Sequence, residues 1–325
     1  MKRTQGQPVR VLVVGSMNMD LVLTVERFPQ PNETVFGTTT REVPGGKGGN
    51  QAVAACRLGA ETRMVAAVGA DANGRKLVAG LAAEGIATDS IAELETAATG
   101  LAVIPVDADG NNQIMVFPGA NLALDVEQVR AAFTSGPTSA GPTADVVLLQ
   151  LEISPAAIRE TVRLAREQGI LTVLDAGPAG AVEVADFAGI DVISPNESET
   201  LAWTGIDPVD DAACQAAAEL LLQKSGARMA VLKLGRRGAW LQPLGAAGRR
   251  FPTFEAVRAV DSTAAGDAFT AALALRFVET GDWEEAVLFG NAAGSICVSR
   301  HGAQPSLPQR EEVLSFLAEQ GGITG

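Results

Sequence analysis

The chain has 325 residues, 47% hydrophobic and 19% charged, enough apolar material for a substantial core and too much for a disordered chain. A formal net charge of −13 removes the basic stripe that a nucleic-acid surface needs. No apolar run approaches the roughly 20 residues of a membrane span, and Cys56, Cys214 and Cys297, scattered and odd in number, show neither zinc-site spacing nor a disulfide framework. The expectation is a soluble, cytoplasmic protein with neither nucleic acid nor membrane as partner.

Val9 to Gly15 is a short β-branched run, the pattern of a strand buried on both faces. It leads into Gly15-Ser-Met-Asn-Met-Asp20, at the strand edge where open α/β sheets bind ligands. Asn18 and Asp20, two apart, share a side in extended chain and suit a vicinal diol; an Asx turn is the plainer account. Leu21–Val25 and 34–40 alternate as strands with one wet face. Gly45-Gly-Lys-Gly-Gly-Asn50 is neither a Walker A loop nor a G-x-G-x-x-G turn. Its glycines would let backbone approach a ligand, with Lys47 and Asn50 as donors at a helix start, or they would simply make a tight strand-to-helix turn. That helix runs from near Lys47 through Arg57.

A strand at Thr62–Val68 and a helix at 74–84 follow, then strands at Gly100–Val106 and 113–117 joined by a hairpin turn. The polar strands within about 18–44 and 98–118 form a small appended sheet able to act as a lid, and to pair its exposed edges in a homodimer. Residues 134–143, rich in Gly, Pro and Thr, read as an exposed, mobile loop. Beyond it, strands at Val146–Leu151, Leu171–Asp175, 192–194 and 229–234 alternate with helices at 155–168, 196–204 and 210–224, the rhythm of a parallel sheet covered by helices. Helices at 266–279, 283–299 and 309–319 close what reads as one domain over residues 1–325.

Four further segments can carry chemistry. Glu152 ends the strand at 146–151, where a lone acid is most often solvated or a helix cap. Asn196 and Glu199 have capping-box spacing, which suffices as an explanation; facing a metal-bound phosphate through water is the alternative. Leu234-Gly-Arg-Arg-Gly238 offers two cations to a polyphosphate, or to solvent. Finally, Asp261-Ser-Thr-Ala-Ala-Gly-Asp267 opens an apolar helix: free N–H groups can cradle an oxyanion while Asp267 takes a proton. His301 is the only histidine, so Asp267 is the best candidate base. Its place at a helix N-terminus predicts a lowered pKa.

Together, Gly45-Gly-Lys-Gly-Gly-Asn-Gln-Ala-Val-Ala54 and Val260-Asp-Ser-Thr-Ala-Ala-Gly-Asp267 resemble the two signatures of the phosphofructokinase-B, or ribokinase-like, family of sugar kinases. The resemblance covers about residues 9–318, with subfamily features at 15–20, 118–121, 150–152 and 300–306. It implies a three-layer α/β/α fold with a mostly parallel central sheet and a small β-sheet lid. The implied reaction is ATP-dependent phosphorylation of D-ribose at O5, with Mg²⁺ and K⁺. Another furanose (2-deoxyribose, a nucleoside, a fructose derivative) and a non-catalytic sugar- or nucleotide-binding regulator are the alternatives.

By the same resemblance, Asn18, Asp20, Gly46, Lys47, Asn50 and Glu152 bind the sugar. Asp267 is the base, and Ala265 and Gly266 form the anion hole. Asn196, Lys233, Leu234, Gly235, Arg236, Arg237, Gly238, Gly266 and Asn291 fall at nucleotide positions. Asp261, Thr263, Cys297, Arg300, Gly302 and Ser306 match a K⁺ loop, and Glu199 a water-mediated Mg²⁺ contact. Three departures stand out: Gly49 for an expected alanine, Lys233 for a frequent threonine, and Thr263 for a frequent isoleucine.

Overall fold

In β1 (Arg10–Val14), Val11 and Val13 pack into one hydrophobic core and Leu12 and Val14 into another, so a layer of helices is required on each face of the sheet. The computed structural model describes residues 7–134, 142–180, 182–254 and 257–321. The interior of the loop expected at 134–143 lies outside them. After β1 the chain forms β2 (Asn18–Val25), β3 (Gly37–Gly45), α1 (Lys47–Arg57), β4 (Glu61–Gly69), α2 (Ala72–Ala83), β5 (Ala87–Leu94), β6 (Gly100–Val106) and β7 (Met115–Phe117). Next come α3 (Val126–Thr134), β8 (Val146–Gln150), α4 (Pro155–Gln168), β9 (Leu171–Asp175), β10 (Val192–Ile193), α5 (Glu197–Thr204) and α6 (Asp211–Ser225). The chain ends in β11 (Met229–Lys233), β12 (Ala239–Pro243), β13 (Arg249–Phe251), α7 (Ala265–Thr280), α8 (Trp283–Val298) and α9 (Arg310–Glu319).

The central sheet has the order β13-β12-β11-β10-β9-β8-β1-β4-β5. It is parallel from β5 to β11 and antiparallel at β12 and β13. A second sheet, β3-β2-β6-β7, is antiparallel except where β2 runs parallel to β6. This is the helix-covered parallel sheet that the strand–helix rhythm predicts, in the three-layer α/β/α form with a small added sheet that the family resemblance implies. Among the described residues, no helix is long and apolar enough to cross a membrane.

The differences fall mostly at edges. β5 and β13 were not expected, nor was α3, whereas β12 follows the turn at 234–238 that the sequence places between two strands. β3 also begins and ends later than 34–40, because its pairing with β2 extends to Asn18↔Gly45. That stretch contains Pro44, which an edge strand accepts because only one of its sides needs ladder hydrogen bonds. The ends of β1, β8, β9 and β11 and the starts of α1 and α7 converge at one side of the central sheet, the geometry in which such sheets hold ligands.

Candidate active site

The first turn of α1 lies on the connection between β1 and β2. Gly46, just before the helix, has φ +84°, and a Cβ there would come within 2.7 Å of the Asn18 nitrogen. This packing turns Lys47, Asn50 and Gln51 toward the start of α7. Asn50 Nδ2 donates to Asp267 Oδ2 at 2.9 Å, and Gln51 Nε2 donates to Asp267 Oδ1 at 3.1 Å. Asn50 Oδ1 is buried with no partner among the described residues. Such an acceptor costs about 1–3 kcal/mol unless a donor reaches it.

Asp267 is buried, and burial pushes its carboxyl up to about 6; Lys47 opposes the shift and Asp175 adds to it. The lowering expected from the helix N-terminus is therefore overturned, because loss of water outweighs a helix-end field of about 0.3–1 kcal/mol. The start of α7 is reached through Ala264, held left-handed at φ +61°. Of the backbone donors expected at an anion hole there, the Ala265 N–H bonds Ser262 O at 3.3 Å, while the N–H groups of Gly266 and Asp267 have no partner among the described residues.

Asp175, at the end of β9, is the functional candidate that the sequence reading missed. It is fully buried and accepts from Lys47 Nζ at 3.2 Å, Lys233 Nζ at 2.9 Å, Gln51 Nε2 at 3.2 Å and Thr270 Oγ1 at 3.4 Å. Burial alone would raise its carboxyl; Lys233 and Lys47 reverse the sign and hold it below the ordinary range. Burial would likewise lower the Lys47 ammonium, but Asp175, Asp267, Glu199 and Glu152 raise it instead. Asp175 carries the same signal as Glu152, a lone acid ending an apolar strand, and could have been found by it.

On the proposed sugar side, Asn18 and Asp20 are both buried in β2. Burial, with Glu152 and Asp267 adding, pushes Asp20 up to about 7. Glu152 Oε2 accepts from the Ser16 hydroxyl and from the Lys47 N–H at 3.2 Å, so one of its oxygens caps α1.

Beside α7 lies a cavity of about 480 Å³. Lys233, Gly235, Arg236, Gly238, Gly266 and Asn291 line it, with Phe254 and Val257 as an apolar wall that the sequence did not announce. Three expected nucleotide residues point elsewhere. Leu234 is buried in the core, and Arg237 pairs with Glu197 and donates to Pro208 and Val209 carbonyls. Asn196 caps α5: its Oδ1 accepts from Glu199 N at 2.8 Å while Glu199 Oε2 accepts from Asn196 N at 2.8 Å. Glu199 Oε1 is left facing Lys47 Nζ at 3.9 Å.

The expected cation-loop residues do come together. Asp261 accepts from the Thr263 N–H and hydroxyl at 2.9 and 2.6 Å, and from the Gly302 N–H at 2.9 Å. Cys297 Sγ lies 2.9 Å from Ser306 Oγ and 3.5 Å from Thr263 O. The Arg300 guanidinium turns away to Glu312, which leaves its carbonyl as the only part that fits a cation. Among the described residues, no three His, Cys, Asp or Glu side chains are placed to hold a metal ion directly.

The pfkB family carbohydrate kinase model matches residues 9–310. The chain is 35% identical over 305 residues to ribokinase of Haemophilus influenzae, covering 94% of this chain and 97% of that one. It is 36% identical over 311 residues to the bifunctional ribokinase/ribose-5-phosphate isomerase A of Fructilactobacillus sanfranciscensis; 95% of this chain is covered, but it spans only 56% of that longer protein. Arabidopsis thaliana ribokinase, solved with ribose and ATP, superposes with a TM-score of 0.84 at 32% identity, covering 96% of this chain and 99% of the other. Signatures, fold and relatives agree: the chain belongs to the pfkB family of carbohydrate kinases.

Proposed function

We propose that this protein is a ribokinase, which transfers the γ-phosphoryl group of ATP to O5 of D-ribose and gives D-ribose 5-phosphate and ADP. The observation that carries the reading is the buried Asp267, bonded by Asn50 and Gln51, beside the unpartnered Asn50 Oδ1 and the free N–H groups of Gly266 and Asp267. A hydroxyl donor is what that acceptor lacks, and an oxyanion is what those N–H groups receive. The O5 atom bonds to phosphorus as the bond from phosphorus to the β-phosphate oxygen breaks. The O5 proton passes to Asp267 Oδ. A carboxyl held near pH 6 is ionised at neutral pH and basic enough to accept it.

Asn18, Asp20, Asn50 and Glu152 bind the sugar, while Lys47 and Lys233, both tethered to Asp175, face the transferring group. Lys233 Nζ would lie 3.5 Å from a Cβ on Gly266, so this departure from threonine adds a cation beside the anion hole. The adenosine part occupies the cavity lined by Gly235, Arg236, Gly238 and Asn291. Mg²⁺, when bound with the nucleotide, neutralises phosphate charge; Glu199 Oε1, not consumed by the cap, fits a water-mediated contact to it. K⁺ fits the 261–263 and 297–306 loops through carbonyl oxygens around the Asp261 carboxylate, where it would hold the anion-hole turn in shape.

The sheet β3-β2-β6-β7 acts as the lid of a single kinase domain, excluding water from the phosphoryl group. Exposed apolar side chains lie at both of its edges, Phe36 just before β3 and Ile114–Phe117 at β7, which suits a homodimer that covers such an edge. Three free cysteines, two of them buried, suit a reducing cytoplasm. A coupled ADP-release assay across ribose, 2-deoxyribose, nucleosides and fructose derivatives, with and without K⁺, tests the reading. Turnover of a nucleoside without turnover of ribose overturns it. Light scattering that gives a monomer removes the dimer.

A further inference from the structure

Asn121, in the turn 119–123 after β7, is buried, and no step described so far uses it. Its Oδ1 accepts from the Met17 N–H at 2.9 Å. A peptide N–H can only donate, so the Asn121 atom facing it must be the oxygen. The Asn121 amide nitrogen is thereby turned to Asn18 Oδ1 at 2.7 Å and to Met17 O at 3.3 Å, which spends both of its protons. This fixes Asn18 in turn. Its oxygen faces Asn121, and its Nδ2 is left without a partner among the described residues. The contact has no slack, because Asn18 pairs with Gly100 of β6 and a Cβ on Gly100 would lie 2.2 Å from Asn18 Oδ1 and 2.3 Å from Asn121 Nδ2.

We propose that Asn121 is a positioning residue for sugar selection: it locks Asn18 with its N–H₂ toward the substrate, so that the pocket presents one donor, Asn18, beside one acceptor, Asp20. This rests on the sugar kinase reading above. Two neighbouring hydroxyls bridge such a pair as a chain, the first accepting from Asn18 and donating to the second, which donates to Asp20. A deoxy sugar breaks the chain and leaves a buried polar group unpaired, the situation in which hydroxyl selection is strongest. With Asn18 reversed, the pocket would present two acceptors and the chain could not form.

The test measures kcat and KM for ribose, 2-deoxyribose and 3-deoxyribose in the wild type and in Asn121→Asp, Asn18→Asp, Asn18→Ala and the double variant Asn18→Ala/Asn121→Asp. Asn121→Asp still accepts from Met17 but draws Asn18 Nδ2 toward itself. Asn18→Asp keeps the bond from Asn121 and puts an acceptor where the donor was. Both are expected to raise KM for ribose about tenfold or more, with KM for ATP unchanged, and to reduce discrimination against one deoxy sugar by a similar factor. In the Asn18→Ala background, Asn121→Asp should add nothing further. Unchanged discrimination in a folded Asn121→Asp, or losses that multiply in the double variant, overturns the proposal. Should Asn121→Asp fail to fold, Asn18→Asp decides, and retention of wild-type discrimination overturns it. A wild type that phosphorylates no pentose overturns the kinase reading itself; one that discriminates while both variants discriminate equally well overturns only the role of Asn121.

Discussion

Two buried aspartates, Asp175 at the end of β9 and Asp267 in the first turn of α7, share the amide of Gln51, whose Nε2 donates to both. Their surroundings drive them in opposite directions. Asp175 has two ammonium partners and is held below the ordinary range, whereas Asp267 has two neutral amides and is pushed up to about 6. Burial is common to both, so the partners decide. One carboxylate is a fixed charge that anchors cations, and the other is poised to take and release a proton. Titratable neighbours pushed apart in this way mark the division between structure and chemistry.

The sharpest way to break the comparison is Asp267→Asn. Loss of the base should lower kcat by about 10²–10⁴-fold with little change in ribose KM, checked by initial rates. The stability effect should have the opposite sign. Because the folded pKa of Asp267 is raised, protonation stabilises the fold below the unfolded value near 4, and that contribution is lost as pH rises through about 6. A neutral Asn avoids the loss. Asp267→Asn should therefore be more stable than wild type by on the order of 2 kcal/mol at pH 8, a gain that vanishes below about pH 4 in denaturant titrations. A variant that is both inactive and destabilised at pH 8 would contradict the assignment.

Asp175→Asn should do the reverse and destabilise, by about 3–5 kcal/mol, because two lysine ammoniums lose their shared buried counter-charge. Adding Lys233→Thr removes one stranded cation and should recover part of that loss, as urea unfolding of the single and double variants would show. Additive effects would mean that the 2.9 Å contact between Lys233 and Asp175 carries no coupling. The double variant, if folded, should still bind sugar while losing phosphoryl-transfer rate.

The pH profile sharpens the same contrast. Asp267 must be ionised to take the O5 proton, and Asp20 holds a sugar hydroxyl best as a carboxylate; they are pushed up to about 6 and about 7. The kcat/KM for ribose should therefore fall on the acid side of neutrality, with the limb between those values, and Asp267→Asn should abolish the part that reports the base. A profile flat down to pH 5 would show that neither group titrates where burial places it.

These two aspartates also show what the sequence could and could not convey. The start of α7 was legible because small residues, glycine and aspartate before an apolar run encode a helix N-terminus locally. So was the start of α1, and the parallel sheet followed from uninterrupted apolar strands such as β1. Asp175 was passed over because its partners, Lys47 and Lys233, lie 128 and 58 residues away. Its place at a strand end is visible in the sequence, as that of Glu152 is, but the two lysines that set its charge meet it only after folding. The pKa direction of Asp267 failed for the same reason: helix position is local, but burial is tertiary. β5 and β13 escaped because they are the two edge strands of the central sheet, partly exposed and without a continuous apolar run.

The smallest effect concerns Gly49, where alanine was expected. It sits in the first turn of α1, next to Asn50 and Gln51, which hold Asp267. A Cβ at this position would meet only Gln304 Nε2 at 3.5 Å and Ser16 O at 3.9 Å, both ordinary contacts, and Gly49 is not among the left-handed residues. Gly49→Ala should then reduce the freedom of the unfolded chain without disturbing the site, a gain of about 0.4–1 kcal/mol. In a chain of this size that raises Tm by about 1–3 °C, readable by calorimetry. Activity should stay within twofold of wild type. A rise in Tm with a loss of kcat would instead mean that the first turn of α1 must flex to bring Asn50 and Gln51 onto the base, and that the contrast between the two aspartates depends on motion as well as on partners.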